Sequence, residues 1–311
     1  MINFYKNSEV CVVTKPKVGT RILDFIFNAD NPYSEDWVFH GEYTKSNWFY
    51  GGKSLDVKID SNGVLNIGNS DSKEHDGRKN SKNIDIGSRI QEFNDKIFND
   101  KGDFSLYFFT RNPLSRFISG IYQELFVRLQ NYGNYLNGGE YNENWLLHSF
   151  TPFSKDTLNN DPGLSFIKKM VRETQIINMS LSPREEKFMK IIVKNFLKTL
   201  MNSKNGWITS HTDNYLIEYM FLLLHMKSTK NVKFVDIEKT DIRDVLKPSF
   251  KKKVKELEDR DRNTSQNWLR DLIRDEIYAD SEIKESVFGY LHDEQNLFNY
   301  ICKKYKRKFV Y

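Results

Sequence analysis

Short, unbroken apolar runs set apart by polar and helix-like stretches constrain this chain most. "VCVV" at 10–13 and "FSLYFFT" at 104–110 are too short for buried helices and too continuously apolar for strands with one wet face. Both are therefore expected to be strands covered on both sides, the first spanning residues 9–13. A third strand is expected at "NVKFVDIE", 231–238. Between them lie segments of helical character. Residues 20–28 carry Ile22, Leu23, Phe25 and Ile26, and "NPLSRFISGIYQELFVRLQ" starts at Asn112 with Pro113 at its first position, where a missing N–H costs nothing. "DNYLIEYMFLLLHM" predicts a further helix, and residues 282–306 a long one running into "KKYKRK". Strands alternating with helices predict an α/β protein built on a central, mostly parallel sheet.

The rest of the composition agrees with a folded chain. Of 311 residues, 39% are apolar and 14% aromatic, enough to bury a large core. Residues 51–103 are the exception: "DSKEHDGRKNSKN" at 71–83 has almost no apolar side chain. Within that span "SLDVKIDSNGVLNIG" alternates around Asn62 and Gly63, the pattern of a two-stranded hairpin. The stretch has too few apolar residues for its own core, so it is expected to be a polar insertion in a single domain covering 1–311. Lys and Arg number 47 against 42 Asp and Glu, a net charge of +5 spread over the surface and unlike a nucleic-acid-binding stripe. Cys11 and Cys302 show no CxxC spacing and are expected to be reduced core thiols. The six histidines show no metal-ligand spacing, so no metal is expected. The opening "MINFYKNSEV" lacks the zones of a signal peptide and no apolar run is long enough to span a membrane, so a soluble, cytoplasmic protein is expected.

Chemistry concentrates at the two strand-to-helix joints. A loop leaving a parallel strand for a helix presents backbone N–H groups and the positive helix end at the sheet's carboxyl edge, where phosphates bind. In "TKPKVGTRIL" Gly19 allows close backbone approach, Thr20 offers a hydroxyl, and Lys15, Lys17 and Arg21 bring charge. The pattern is not GxxxxGK[ST], because the lysine precedes the glycine. At the second joint Arg111 ends an apolar strand, just before a helix. Asn112, Ser115, Arg116, Ser119 and Gln123 fall on the helix face opposite Leu114, Phe117, Ile118, Ile121 and Leu125. Arg111 and Ser119 are thus a fork and a hydroxyl suited to one phosphate. A capped helix with a solvated polar face explains Asn112 and Pro113 as well, but gives no reason for the arginine.

"PKVGTRIL" followed by "RNPLSRFISG" resembles the paired signature of sulfotransferases that use 3′-phosphoadenosine 5′-phosphosulfate (PAPS), and "KVGTRIL" is most similar to the carbohydrate and heparan sulfate branch. "FVDIEKTDIRDVL" and "YLHDEQNLFNY" are similar to later segments of that family. The resemblance implies a P-loop-like three-layer sulfotransferase fold and transfer of a sulfuryl group from PAPS to a hydroxyl of a glycan or small molecule, with 3′,5′-adenosine bisphosphate (PAP) as product. It further implies that Lys15, Pro16, Lys17, Val18, Gly19, Thr20 and Arg21 cradle the 5′-phosphosulfate, with Lys17 stabilising the leaving phosphate oxygen, and that Arg111 and Ser119 bind the 3′-phosphate. "DRNTSQNW" is similar to a loop that closes over the adenosine, which makes Arg262 and Trp268 cofactor candidates.

Three residues compete for the role of general base. "WVFHGEYT" offers His40 and Glu42, in the stretch where the family carries its Glu or His. His40 is preferred because an imidazole accepts a proton near neutral pH without tuning, whereas Glu42 would need burial to raise its pKa. His211 in "WITSHTDNYL" is the third, or else a helix-start histidine with Thr212 or Asp213 as cap. Two other functions stay open: an ATP-dependent small-molecule kinase, against which the missing Walker lysine counts, and a non-catalytic nucleotide- or glycan-binding module.

Overall fold

Strands form where the apolar runs lie, and the strand order puts the runs at 10–13, 104–110 and 231–238 side by side. The computed structural model describes residues 2–5, 10–14, 18, 37–39, 47–50, 53–59, 65–69, 105–139, 162–170, 179–209, 211–212, 216, 219, 223, 231–241, 245 and 268–310. The strands among them are Ile2–Tyr5 (β1), Val10–Val13 (β2), Trp37–Phe39 (β3), Asn47–Tyr50 (β4), Lys53–Ile59 (β5), Leu65–Asn69 (β6), Ser105–Thr110 (β7), Val232–Asp236 (β8) and Phe309–Val310 (β9). The α-helices are Pro113–Leu136 (α1), Pro183–Met201 (α2), Trp268–Ala279 (α3) and Ser281–Lys304 (α4). The chain divides into two compact units: Met1–Asn112, Asn214–Asp261 and Asn296–Tyr311 form the first, Pro113–Asp213 and Arg262–Gln295 the second.

In the first unit a six-stranded sheet runs in the order β3-β1-β2-β7-β8-β9. The pairs β2–β7 and β7–β8 are parallel, as the apolar runs predict, and β8–β9 is parallel too, while β1 pairs antiparallel with both β2 and β3. That antiparallel flank was not legible: Ile2–Tyr5 is short and its sequence is interrupted by Asn3. Register aligns Phe108 with Phe234 and Phe234 with Phe309. Their rings stack at 5.5 and 5.4 Å between centroids, a column across three strands that excludes a one-residue slip. The chain after α4 therefore does not stay helical through "KKYKRK". It leaves the helix at Lys304, passes through a 3₁₀ turn at Lys306–Lys308 and rejoins the sheet as β9.

The expected hairpin is present, with β5 and β6 antiparallel and Ile59 opposite Leu65. A third strand, β4, pairs with β5, so the small sheet begins before the insertion boundary expected at residue 51. Of the helix expected in 213–226, Leu216, Tyr219 and Leu223 are described, all helical and buried at the spacing of one helix face. The helix expected at 20–28 lies outside the described residues. So does the side chain of Cys11. Cys302 is free and half-buried, and burial, followed by the nearby Asp236 charge, pushes its thiol above the ordinary value.

The second unit is a helical core. Phe117, Ile121, Leu125 and Leu129 of α1 pack in one cluster with Ile192, Val193 and Phe196 of α2, Leu269 and Ile273 of α3, and Ile283 and Val287 of α4. A 3₁₀ segment, Pro162–Lys169, adds Phe166 and Ile167. The alternative reading of α1 as a helix with a solvated polar face does not hold at Arg116 and Ser119, since both side chains are buried. The helix is covered on two sides, a circumstance that apolar periodicity does not report when a buried polar group has a partner elsewhere in the chain. No helix of the described residues is long and apolar enough to cross a membrane.

Candidate functional site

Within the first unit, chemistry gathers where β2, β7 and β8 end. The Thr14 hydroxyl, fully buried just after β2, donates to the Val18 carbonyl at 2.6 Å. The Tyr219 hydroxyl lies 3.1 Å from the Val13 carbonyl and 2.7 Å from that of Phe109, a buried cross-tie between the ends of β2 and β7. Arg111 follows β7 directly, and its Nε donates to Glu238 Oε1 at 3.1 Å. Glu238 is presented by the turn after β8, where its own N–H donates to the buried Asp236 carboxylate at 3.1 Å and the Thr240 N–H donates to the Asp236 carbonyl at 2.9 Å. This is the carboxyl edge of parallel strands, with a half-buried guanidinium held by a carboxylate across neighbouring strand ends.

Within the second unit, three helical turns of α1 face a short, heavily bonded turn at 207–212. The Thr212 hydroxyl donates back to the Trp207 carbonyl and accepts from the Thr209 N–H at 3.0 Å, while the His211 N–H donates to the Thr209 hydroxyl at 3.2 Å. Thr212 is therefore tied into its own turn and does not act as the expected helix cap; Asp213, the alternative cap, lies outside the described residues. Arg116, about 1% exposed, forks onto the Glu294 carboxylate of α4 at 3.1 and 3.0 Å. Its Nη1 donates to the His211 carbonyl at 3.3 Å, and Nη2, already on Glu294, also donates to the Thr212 carbonyl at 3.0 Å. Tyr290 of α4 also donates to the Thr212 carbonyl, at 3.0 Å, and Trp207 donates to Ser286 at 2.9 Å. Gly120 makes the approach possible: a methyl there would sit 2.5 Å from the His211 carbonyl oxygen.

The turn so clamped holds His211 against α1. His211 Nδ1 lies 2.7 Å from Glu124 Oε1, and Arg128 Nη1 donates to Glu124 Oε2 at 2.9 Å and to the Glu124 carbonyl at 2.7 Å. Burial works against the Glu124 charge. The bonds and charges of His211 and Arg128 outweigh it and hold the carboxyl at about 2, down from an ordinary 4.5. An imidazole, a carboxylate and a guanidinium in series form an oriented proton-accepting group in which the carboxylate stays ionised.

No protein-family model matches the chain, and no curated protein or solved structure matches it either.

Of the residues expected from sequence to form a site, Val18, Arg111, Ser119 and His211 are described, and Arg111 and Ser119 belong to different compact units. Val18 is fully buried, and Ser119 is buried within α1. Lys15, Pro16, Lys17, Gly19, Thr20, Arg21, His40, Glu42 and Arg262 lie outside the described residues. Trp268 is described as well, half-buried and packed against the helical core. Glu124, Arg128, Glu238 and the pair Arg116–Glu294 were missed. The Glu124 to Arg128 spacing is an acid-before-base i,i+4 pair and was legible as such. The His211–Glu124 contact joins residues 87 apart and has no local signal.

Proposed function

We propose that the protein is a PAPS-dependent sulfotransferase of sulfotransferase fold, acting on a hydroxyl of a glycan or small molecule in the cytoplasm. The paired signature around Lys17 and Arg111 is the ground for the family. The observation that carries the proposal is the position of Arg111 at the carboxyl edge of the parallel strands, on the strand next to the one that Thr14 follows. That edge is where α/β sheets bind nucleotide phosphates. In the reaction the acceptor oxygen attacks sulfur in line, its proton passes to a base, and the bond from sulfur to the bridging oxygen breaks, its electron pair leaving with PAP. Lys17 stabilises that leaving oxygen, and Arg111 serves the 3′-phosphate. The base is drawn from His40, Glu42 and His211, of which His211 is described and has a carboxylate partner.

Calorimetric titration with PAP tests the assignment. Arg111→Ala should weaken PAP by at least about 10-fold, or ~1.4 kcal/mol. Unchanged affinity sinks it. With labelled PAPS and a glycan panel, Lys17→Ala should lower kcat by about 10²–10³-fold, the usual effect of losing one group that stabilises developing negative charge.

A further inference from the structure

The net charge of +5 is not shared evenly along the chain. Residues 295–311 take five of the 47 Lys and Arg, at 303, 304, 306, 307 and 308, and none of the 42 Asp and Glu, so the remainder of the chain is balanced. All five belong to the first compact unit, in the last turn of α4 and in the 3₁₀ turn that leads into β9. Lys303, Lys304, Lys306 and Arg307 are exposed, and none of them is paired with a carboxylate among the described residues. The turn is also held in place. Tyr305 before it and Phe309 after it both pack on Phe234, at 5.0 and 5.4 Å between ring centroids, and the Lys308 N–H donates to the Tyr305 carbonyl at 2.8 Å.

Two ordinary explanations cover part of this cluster. The negative end of a helix dipole favours cations in the last turn, which accounts for Lys303 and Lys304, but the effect fades beyond that turn, where Lys306, Arg307 and Lys308 lie. Lysine beside an edge strand discourages pairing with other chains, and β9 is an edge strand, but at two residues it is already too short to need five charges. Nor does the cluster belong to the edge that holds Arg111. Because β8 and β9 are parallel, the basic turn enters the sheet at the amino end of these strands, whereas Arg111 and Glu238 follow β7 and β8 at the carboxyl end. The length of a five-residue strand, about 15 Å, separates the two edges.

The partner that fits is anionic and broad. The five cations span on the order of 10 Å of backbone. A long polyanion such as a nucleic acid would run past them onto a chain with no surplus of charge, whereas a bilayer surface needs a single cationic spot. Tyr300 adds a second feature of that kind: its ring is 45% exposed, with Lys304 Nζ 5.2 Å from its centre, and a tyrosine beside a lysine is a pair that bilayer interfaces take up. We propose that residues 303–308, with Tyr300, are a docking surface through which the protein binds reversibly to an anionic phospholipid bilayer.

Co-sedimentation of the full chain with vesicles tests this. Binding is expected to vesicles of phosphatidylcholine with about one third phosphatidylserine at about 0.1 M NaCl, to be lost at about 1 M NaCl, and to be absent with pure phosphatidylcholine. Each cation near the surface contributes about 5-fold, so Lys306→Gln combined with Arg307→Gln should weaken binding about 25-fold. Lys303→Gln combined with Lys304→Gln should act in the same direction, and an unchanged urea midpoint shows that each variant is folded. Absence of binding to the anionic vesicles, equal binding to neutral ones, or wild-type binding in both double variants overturns the proposal. So does tighter binding to a double-stranded DNA oligonucleotide or an acidic polysaccharide than to the vesicles, if the same substitutions abolish it, because the segment is then a polymer site.

Discussion

Single atoms decide much of the second unit. Adding a methyl at Gly120 places carbon 2.5 Å from a backbone oxygen, and a backbone atom cannot swing aside as a side-chain tip does. Gly120→Ala should therefore cost on the order of 1–3 kcal/mol in urea unfolding and weaken the His211–Glu124 contact. The Arg116–Glu294 pair is enclosed on both sides, and removing one partner leaves the other charge buried alone. Glu294→Ala should lose on the order of 3–5 kcal/mol, far more than loss of an exposed pair such as Lys190–Glu186. Glu124 gives a pH signature with a defined sign. Its folded pKa lies below its ordinary one, so its contribution is complete above about 4.5 and is lost as pH falls toward about 2. Comparing wild type with Glu124→Gln, the stability difference of about 2 kcal/mol near pH 6 should shrink steadily below pH 4.5.

At the scale of elements, α2 shows what local sequence can and cannot report. Its start is written in "SPREE": the Ser182 hydroxyl accepts from the Glu185 N–H, the Glu185 carboxylate accepts from the Ser182 N–H at 2.7 Å, and Pro183 fills the first position. The Ser182 bonds also lower the Glu185 pKa. Ser182→Ala should reduce stability by about 1 kcal/mol, seen as a lower urea midpoint with an unchanged slope. For α1 the apolar stripe was legible, and Phe117, Ile121 and Leu125 are indeed core. The burial of the opposite face was not legible, because Arg116 is a surface residue by type and becomes a core residue only through Glu294, far along the chain. The parallel strands were equally clear from their apolar runs. The two-residue β9 was not, since its place is set by stacking on Phe234 and not by its own length.

At the scale of the molecule, neither compact unit is a contiguous piece of chain. Residues 113–213 lack Leu269, Ile273, Ile277, Ile283 and Val287, which complete their core, so that fragment alone should give no dispersed NMR spectrum, whereas the full chain does. The sheet edge carries a prediction of its own. Glu238 competes with any anion for Arg111, so Glu238→Gln should tighten PAP binding by about 2- to 5-fold, the worth of one partly exposed ion pair. The sequence by itself determined the α/β class, the buried parallel strands, the start of α1 and the basic loop-and-arginine pattern from which the proposed chemistry comes. Each of these depends on neighbours within a few residues, where periodicity and capping act. Only the tertiary structure decided that β1 and β3 flank the sheet antiparallel, that Arg111 meets Glu238, that Arg116 is buried on Glu294 and that His211 meets Glu124. Those are contacts between residues from 87 to 178 apart, or pairings of strands too short to announce themselves, and their energies exist only once the chain has brought the partners together.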